Sequence, residues 1–409
     1  MTAERLSEYE VANVMTVALV FNAGSSSLKI AAYRLDPGHP VQISRGILRI
    51  GTKPQLEVST SSAKEVVDLE PGASLDRKLI RDLIGRMLPP NSTIEICGHR
   101  IVHGGPTFHK PVLLDQQTIS EIEKLGSFAP LHIPPALEVI HAVKEDYPDV
   151  LQTASFDTAF HSSLCDLASR FAIPASMHEQ GLRRYGFHGL SYKHVASELA
   201  TLDPDLAKGR VICAHLGSGA SLCGMVEGVS IDTSMGFSAL DGVPMATRPG
   251  SLDPGVLLHL LRNNFAGADE LEDFLYHKCG LLGVSGRSGD IRDLLDDFHP
   301  ASQDAVDLFC FRIAGEVGRL TVSLGGIDAL IFTAGIGEHQ PDVRSRIIRH
   351  LSWLGITLSE AANRANATII STKESGVAAL VVPTDEEKVI VQESIQAIAE
   401  HRLEVSKHA

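Results

Sequence analysis

The sequence predicts an α/β protein of two related domains, and three observations carry this prediction. The chain has 409 residues, roughly two to three times the usual length of a domain. Short apolar runs, typical of buried strands, alternate with longer segments of helical periodicity. A Ser/Gly-rich turn occurs twice in the same setting, ending at Ser27 and at Ser221, which are 194 residues apart.

Local sequence patterns predict the elements of the chain from its N-terminus onward. Residues 1–15 carry several charges and lack an apolar core, so they are interpreted as a leader rather than a secretory signal. The apolar run at residues 16–21 predicts a strand, which a turn at 22–27 joins to a second strand at 30–33. Further strands are predicted at residues 153–156, 210–214, 329–333 and 378–383. Helices are predicted at residues 134–145, 192–201, 254–264, 302–324 and 342–353.

Composition excludes several classes of partner. Asp plus Glu outnumber Lys plus Arg by 50 to 36, and the net charge of −14 argues against nucleic acid and anionic membranes. No apolar run approaches the roughly 18 residues that span a bilayer. The six cysteines form no CxxC pair, which favours a reducing, cytoplasmic protein without a zinc site. Any anionic ligand must therefore be held by a local group of basic residues.

The candidate site residues lie in glycine-bearing polar segments. Residues 22–29 (NAGSSSLK) and 215–219 (HLGSG) could bring backbone amides to phosphate oxygens, or could be ordinary hairpin turns. In residues 98–105 (GHRIVHGG), Arg100 could grip a carboxylate with its planar guanidinium, unless the segment is a surface loop. Asp157 follows a strand and could handle a metal or a proton, or cap a helix.

Later segments extend this pattern. His188 lies in RRYGFHG, and the loop of residues 232–250 could wall a small pocket that ends at Arg248. The strand that runs into AGIGE at residues 334–338 could present amides at a helix start to a nucleotide. The motifs GxxxxGK[ST], HExxH and GxSxG are absent from the sequence.

Taken together and in order, these segments resemble the motifs of the acetate kinase family. They are FNAGSSSLK, GHRIVHGG, SFDTAFH, RRYGFHGLS, AHLGSGASL, DTSMGF, ATRPG, GLLGVSG, FTAGIGEHQP and PTDEE, and the resemblance covers residues 17 to about 400. It implies the duplicated α/β, ribonuclease H-like fold that these kinases share with sugar kinases, actin and heat-shock ATPases. We expect an N-terminal domain of residues 1–157 plus 391–409 and a C-terminal nucleotide-binding domain of residues 158–390.

The resemblance also implies a role for each matching residue. Asp157, His188 and Arg248 would be catalytic, and Asn22 and Glu386 would hold Mg²⁺, for which Mn²⁺ could substitute. The carboxylate substrate would be bound by Arg100, Val102, Leu131, Phe187 and Ala239. The nucleotide would be bound by Lys29, His215, Leu216, Gly217, Ser218, Gly219, Asp290, Ile291, Arg292, Gly335, Ile336, Gly337, Glu338 and His339.

The implied activity is reversible phosphoryl transfer from ATP to acetate, giving acetyl phosphate and ADP, in a cytoplasmic homodimer. Acetate is ionised at neutral pH, so it needs no general base, and Asp157 is interpreted as positioning metal-bound water or an arginine. Two alternatives stay open: a propionate or butyrate kinase of the same family, and an ATPase or sensor of the same fold.

Four positions depart from the family pattern. Ser218 and His339 each stand where the family has asparagine, which leaves the preferred phosphoryl donor open. TRSGD has become TRPGS, with Pro249 and Ser251. Ala239 replaces a proline of the acyl pocket, and this change predicts appreciable use of propionate.

Overall fold

The structure is a computed structural model that describes residues 15–24, 27–36, 39–50 and 53–408. Apart from Met15, the expected leader lies outside these residues, as do Ser25 and Ser26 of the first Ser/Gly turn. The strands are β1 (Met15–Ala23), β2 (Ser27–Asp36), β3 (His39–Arg49), β4 (Gln55–Thr60), β5 (Lys64–Asp68), β6 (Ser92–Ile101), β7 (Val112–Leu113), β8 (Leu151–Phe156), β9 (Arg210–Leu216), β10 (Ala220–Val226), β11 (Val229–Thr233), β12 (Ala329–Thr333) and β13 (Ala378–Val381).

Helices occupy most of the remaining chain. They are α1 (Arg77–Met87), α2 (Gln116–Lys124), α3 (Ile133–Asp146), α4 (Asp166–Ser169), α5 (Ala175–Glu179), α6 (Gly189–Leu202), α7 (Pro254–Asn263), α8 (Ala268–His277), α9 (Gly280–Ser285), α10 (Ile291–Asp296), α11 (Pro300–Leu324), α12 (Ala334–His339), α13 (Pro341–His350), α14 (Glu360–Arg364) and α15 (Glu386–His408). Among the residues that the structure describes, no helix is long and apolar enough to cross a membrane.

Two sheets carry the same core arrangement. The first has the strand order β5-β4-β3-β2-β1-β6-β8-β7, and the second has the order β11-β10-β9-β12-β13. In the first, β1 forms a hairpin with β2 and runs parallel to β6, which runs parallel to β8. In the second, β9 forms a hairpin with β10 and runs parallel to β12, which runs parallel to β13. The two Ser/Gly turns therefore join equivalent hairpins, and the predicted duplication is confirmed.

Helices cover both faces of each sheet. One apolar core lies between the first sheet and α1, α2 and α3, while the start of α15 packs on the opposite face through Ile390 and its neighbours. The second sheet packs on α11 and α13 on one side and on α6 on the other. The central strands of both sheets are buried on their two faces, which is why they read in the sequence as continuous apolar runs.

The predicted elements are present, with differences at their ends. The strand predicted at residues 16–21 extends through Asn22 to Ala23, so Asn22 belongs to β1 rather than to the turn. The strand predicted at 30–33 is the middle of the longer β2. The helix predicted at 192–201 begins earlier, at Gly189, and the helix predicted at 342–353 ends at His350 and is followed by a 3₁₀ turn.

Candidate functional site

A cavity of about 660 Å³ lies where the parallel strands of both sheets end. The ends of β1, β6 and β8 bring Asn22, Arg100 and Asp157 to its wall. On the other side, the end of β9 contributes His215, and the chain after β13 contributes Glu386. Ligands of open α/β sheets bind outside the carboxyl ends of the strands, so the fold itself points to this cavity.

A chain of side-chain contacts crosses the N-terminal wall of the cavity. Arg100 donates from Nε to Oδ1 of Asp157 at 2.8 Å and from Nη2 to Oδ2 at 2.5 Å. Its Nη1 donates to Oδ1 of Asn22 at 3.0 Å, and Nδ2 of Asn22 donates to Glu386 at 3.2 Å. Asp157 is 1% exposed, and the neighbouring carboxylate raises the pKa of Arg100 against the effect of burial.

Counting the hydrogens of Arg100 shows what remains for a ligand. A guanidinium has five N–H groups, and the contacts with Asp157 and Asn22 use three of them. One N–H is left on each terminal nitrogen. Arg100 can therefore still donate two hydrogen bonds to a ligand while Asp157 holds it in place.

Arg248 faces the same cavity in a different electrostatic setting. Its Nη1 donates to the carbonyl oxygen of Ala239 at 2.9 Å. Among the ion pairs of the described residues, none joins Arg248 to a carboxylate, and burial lowers the pKa of its guanidinium. The charge of Arg248 is therefore left for a bound anion to balance.

Two stacked histidines line the cavity. The rings of His188 and His215 lie 4.1 Å apart at an interplanar angle of 13°. Burial and nearby cationic groups lower the pKa of His215 to about 3, and burial, His215, Arg100 and Arg248 lower the pKa of His188 well below its usual value. Both imidazoles are thus neutral at pH 7. His188 precedes α6 with a positive φ of 57°, a backbone conformation that is uncommon outside glycine.

The glycines of the two turns permit close approach. At Gly219, an added Cβ would lie 2.9 Å from Nη2 of Arg248 and 3.3 Å from Nε2 of His188. Gly217 and Ser218 line the cavity beside it, and Ser218 is exposed. Across the cavity, Gly335 and Glu338 also line the wall, so both expected nucleotide loops reach it.

Apolar side chains also line the cavity. Val102 and Phe187 are 5% and 3% exposed and belong to the same core as the half-buried Ala239. All three line the cavity, together with His132, for which burial, Arg100 and Arg248 lower the pKa to about 4. The cavity therefore has an apolar part of its wall next to the arginines, and the carbonyl of Ala239 contacts Arg248 directly.

Several residues expected in the site do not line the cavity. Leu216 and Ile291 are buried in the core of the second sheet, and Ile336 packs against that core. Asp290 caps α10 and pairs with Arg292 on the surface. The remaining three are Leu131, Gly337 and His339.

The carboxylates around the cavity fit a divalent cation. Glu338, Glu386 and Glu387 line the wall, and burial raises the pKa of Glu386. Negative side chains beside an anionic nucleotide need a cation between them. Within the described ranges, no group of three or more His, Cys, Asp or Glu residues forms a ready metal cluster. Mg²⁺ does not need one, because it is commonly bound by one or two carboxylates, waters and phosphate oxygens.

Sequence reasoning missed several cavity residues. Arg45 lies on β3, a strand that was not predicted, and its Nη2 is 3.7 Å from Asp385. Thr384 and Glu387 lie in the PTDEE segment that contained the expected Glu386 but were assigned no role, and His132 follows the expected Leu131. A strand prediction for residues 39–49, where β-branched and polar residues alternate in part, could have indicated Arg45.

The comparisons with known proteins agree along nearly the whole chain. The profile described as the acetokinase family matches residues 17–392. An acetate kinase from Rhodopseudomonas palustris is 44% identical over 386 residues, which cover 92% of this chain and 97% of the relative. The solved propionate kinase of Francisella tularensis has a TM-score of 0.86 at 34% identity and covers 93% of this chain and 100% of its own. The solved acetate kinase of Porphyromonas gingivalis has a TM-score of 0.82 at 31% identity and covers 94% of this chain and 100% of its own. The expected duplicated α/β fold is confirmed.

Proposed function

The chain belongs to the acetokinase family, and we propose that it transfers the γ-phosphoryl group of ATP reversibly to acetate. A carboxylate oxygen forms the new bond to phosphorus while the bond to the leaving ADP oxygen breaks. The relatives named acetate kinase support this substrate. Acetate is already an anion at neutral pH, so the reaction depends on alignment and on balancing negative charge.

One observation carries the proposal. The spare N–H groups of Arg100 and the unpaired charge of Arg248 face the same cavity as the two glycine-bearing loops. A carboxylate held by the arginines would thus lie beside phosphates held by backbone amides. An ATPase without a carboxylate acceptor has no need for such a pair of arginines.

We assign roles to the residues on this basis. Arg100 and Arg248 bind the carboxylate, Asp157 holds Arg100, and the neutral His188 donates a hydrogen bond to the phosphoryl group in transfer. Neutral hydrogen-bond donors aimed at developing charge are an effective form of catalysis.

The nucleotide would span both loops. Lys29, His215 and the loop that follows it would contact its phosphates through Gly217 to Gly219. The second nucleotide loop, residues 335–339, would reach the nucleotide through Gly335 and Glu338. Asp290 to Arg292 would lie toward the adenosine. Glu386, with Asn22, would hold Mg²⁺, whose positive charge bridges these carboxylates and the phosphates.

The acyl pocket also favours propionate as a substrate. Ala239 lacks the ring atoms of the proline that is usual there, and Val102 and Phe187 supply the other apolar walls. The solved propionate kinase that this chain resembles supports the same extension. One buried CH₂ is worth about 0.8 kcal/mol, close to fourfold in kcat/KM.

The domain division, the oligomeric state and the cellular location are further proposals, and each has its own support. The division into residues 1–157 plus 391–409 and 158–390 is supported by the packing of α15 on the first sheet. A homodimer is supported by α7, whose ten residues include Val256, Leu258 and Leu261 but no buried side chain. All six cysteines are free thiols, which supports a reducing cytoplasmic location.

Trapping the acyl phosphate with hydroxylamine tests the proposed function. The purified protein is incubated with ATP and magnesium, and with acetate, propionate, butyrate or no acid. We expect hydroxamate with acetate and propionate, in equal amount to the ADP formed. ADP without hydroxamate would indicate an ATPase, and hydroxamate only with butyrate would reassign the substrate.

A further inference from the structure

A buried chain of hydroxyl groups leads to the ring of His188. Nδ1 of His188 lies 2.8 Å from Oγ of Ser221, which lies 2.5 Å from the hydroxyl of Tyr192. Ser221 and Tyr192 are both 0% exposed. Tyr192 comes four residues after His188 on the first turn of α6, and Ser221 is the second residue of β10. Neither residue belongs to the expected site.

The number of hydrogens in this chain depends on the tautomer of His188. The contacts are two, and the hydrogen bonds of the described residues give neither hydroxyl another partner. If Nδ1 carries the proton, three hydrogens compete for two contacts, and one buried hydrogen has no acceptor. If Nε2 carries the proton, Tyr192 donates to Ser221, Ser221 donates to Nδ1, and every hydrogen is used. Leaving a buried donor unsatisfied costs free energy, so the second arrangement is favoured.

We propose that Ser221 is a positioning residue that keeps the proton of His188 on Nε2, and that Tyr192 fixes the direction in which the Ser221 hydroxyl points. The inference rests on the proposed phosphoryl transfer for its consequence in catalysis. A hydroxyl that accepts one hydrogen bond also becomes a better donor in the next, so the chain strengthens its own direction.

The position of the proton on His188 matters because Nε2 faces the cavity. This nitrogen lies near Gly219 and Arg248, where the transferring phosphoryl group would sit. An Nε2–H donates to a phosphoryl oxygen, whereas a bare Nε2 lone pair repels it. Since the ring is neutral at working pH, its tautomer decides which of these two occurs.

His161 provides a contrast within the same protein. Its Nδ1 lies 2.8 Å from Oγ of Ser230, and its Nε2 lies 3.0 Å from the carbonyl oxygen of Phe187. A carbonyl can only accept, so Nε2 of His161 is protonated whether or not Ser230 is present. Ser230→Ala is therefore a matched control: it removes a buried serine hydroxyl from a histidine without freeing the tautomer.

Nitrogen NMR of the full-length protein labelled with ¹⁵N-histidine tests the inference directly. The spectrum of the imidazole nitrogens distinguishes the two neutral tautomers, and His188→Gln identifies the signals of His188 by their loss. We expect a single Nε2–H tautomer in the wild type and a mixture in Ser221→Ala. His161 should keep its tautomer in Ser230→Ala.

Steady-state kinetics supply the second readout. Loss of a correctly aimed donor costs up to about 10²–10³ in kcat, and a mixed tautomer loses only part of it. We therefore expect Ser221→Ala to lower kcat roughly tenfold with little change in KM, Tyr192→Phe to lower it about threefold, and Ser230→Ala to stay within about twofold.

Two results would overturn the inference. One is an Nδ1–H or doubly protonated His188 in the wild type, which can be read even if the serine variant does not fold. The other is a kcat of folded Ser221→Ala within twofold of the wild type. A wild type that forms no acyl phosphate would instead overturn the proposed function, while the NMR spectrum would still decide the tautomer.

Discussion

Replacing Asp157 with asparagine tests whether this residue positions Arg100 or binds a metal ion. The substitution keeps the shape of the side chain but removes its charge and one of its two acceptor oxygens toward Arg100. Removing one partner of a buried ion pair costs roughly 3–5 kcal/mol. Because the side chain of Arg100 is still 14% exposed and one hydrogen bond can remain, we take the low end, about 3 kcal/mol. We expect this free energy to be divided between a loss of folding stability and a loss of transition-state stabilisation. The second part predicts a kcat that is about 10- to 100-fold lower.

The assay is the hydroxamate reaction at varied acetate and magnesium concentrations. The KM for acetate should stay the same or fall, because the charge of Arg100 is then less neutralised within the protein. Asp328→Asn is the control: Asp328 also forms a two-pronged pair, with Arg210, but away from the cavity, and kcat should be unchanged. Full activity of Asp157→Asn at every magnesium level would refute the reasoning, and recovery at high magnesium alone would assign Asp157 to the metal.

Three further predictions concern the acyl site and stability. Arg248→Ala should lower kcat about 10²-fold or more by removing a charge-stabilising donor, and unchanged kinetics would contradict its assigned role. Ala239→Pro should lower kcat/KM for propionate relative to acetate by about fourfold, and a wild type with no propionate turnover would exclude the larger pocket. Burial lowers the pKa of His215 to about 3 and of His161 to about 4, below the value of about 6.5 in an unfolded chain. As the pH is lowered, the unfolded state therefore binds protons first, and stability should fall from about pH 6.5 down to about pH 4 for His161 and about pH 3 for His215. Equal urea midpoints at pH 7.5 and pH 5 would contradict this sign.

The fold was largely predictable because its central strands are unusually clear. β1, β9 and β12 are buried on both faces, so each is a continuous apolar run that a glycine-bearing turn or helix start follows. The outer strands β3, β4 and β5 were not predicted. They are partly exposed and mix polar with apolar residues, so their pairing depends on the neighbouring strand rather than on a local pattern.

The motifs include many of the residues that line the cavity, but they do not predict the contacts among those residues. The sequence places Arg100 and Asp157 in separate segments, and only the parallel pairing of β6 with β8 brings their ends together. Gly189 shows a similar dependence: its amide donates to the carbonyl of Asp157, and an added Cβ would lie 2.1 Å from that oxygen. Such contacts depend on the order of the strands in the sheet, and no single sequence segment shows that order.

Arg100 and Arg248 differ in how far the protein itself neutralises their charges, although the sequence motifs assign both to the carboxylate. Arg100 is neutralised by Asp157 before any ligand arrives, so its contribution is mainly orientation. Among the described side-chain hydrogen bonds, Arg248 has only the one to the carbonyl of Ala239, and burial lowers the pKa of its guanidinium. The two histidines beside it are neutral and cannot add positive charge. An anion in the cavity therefore gains most from Arg248, and a protein of net charge −14 can hold acetate and a nucleotide because the attraction is local.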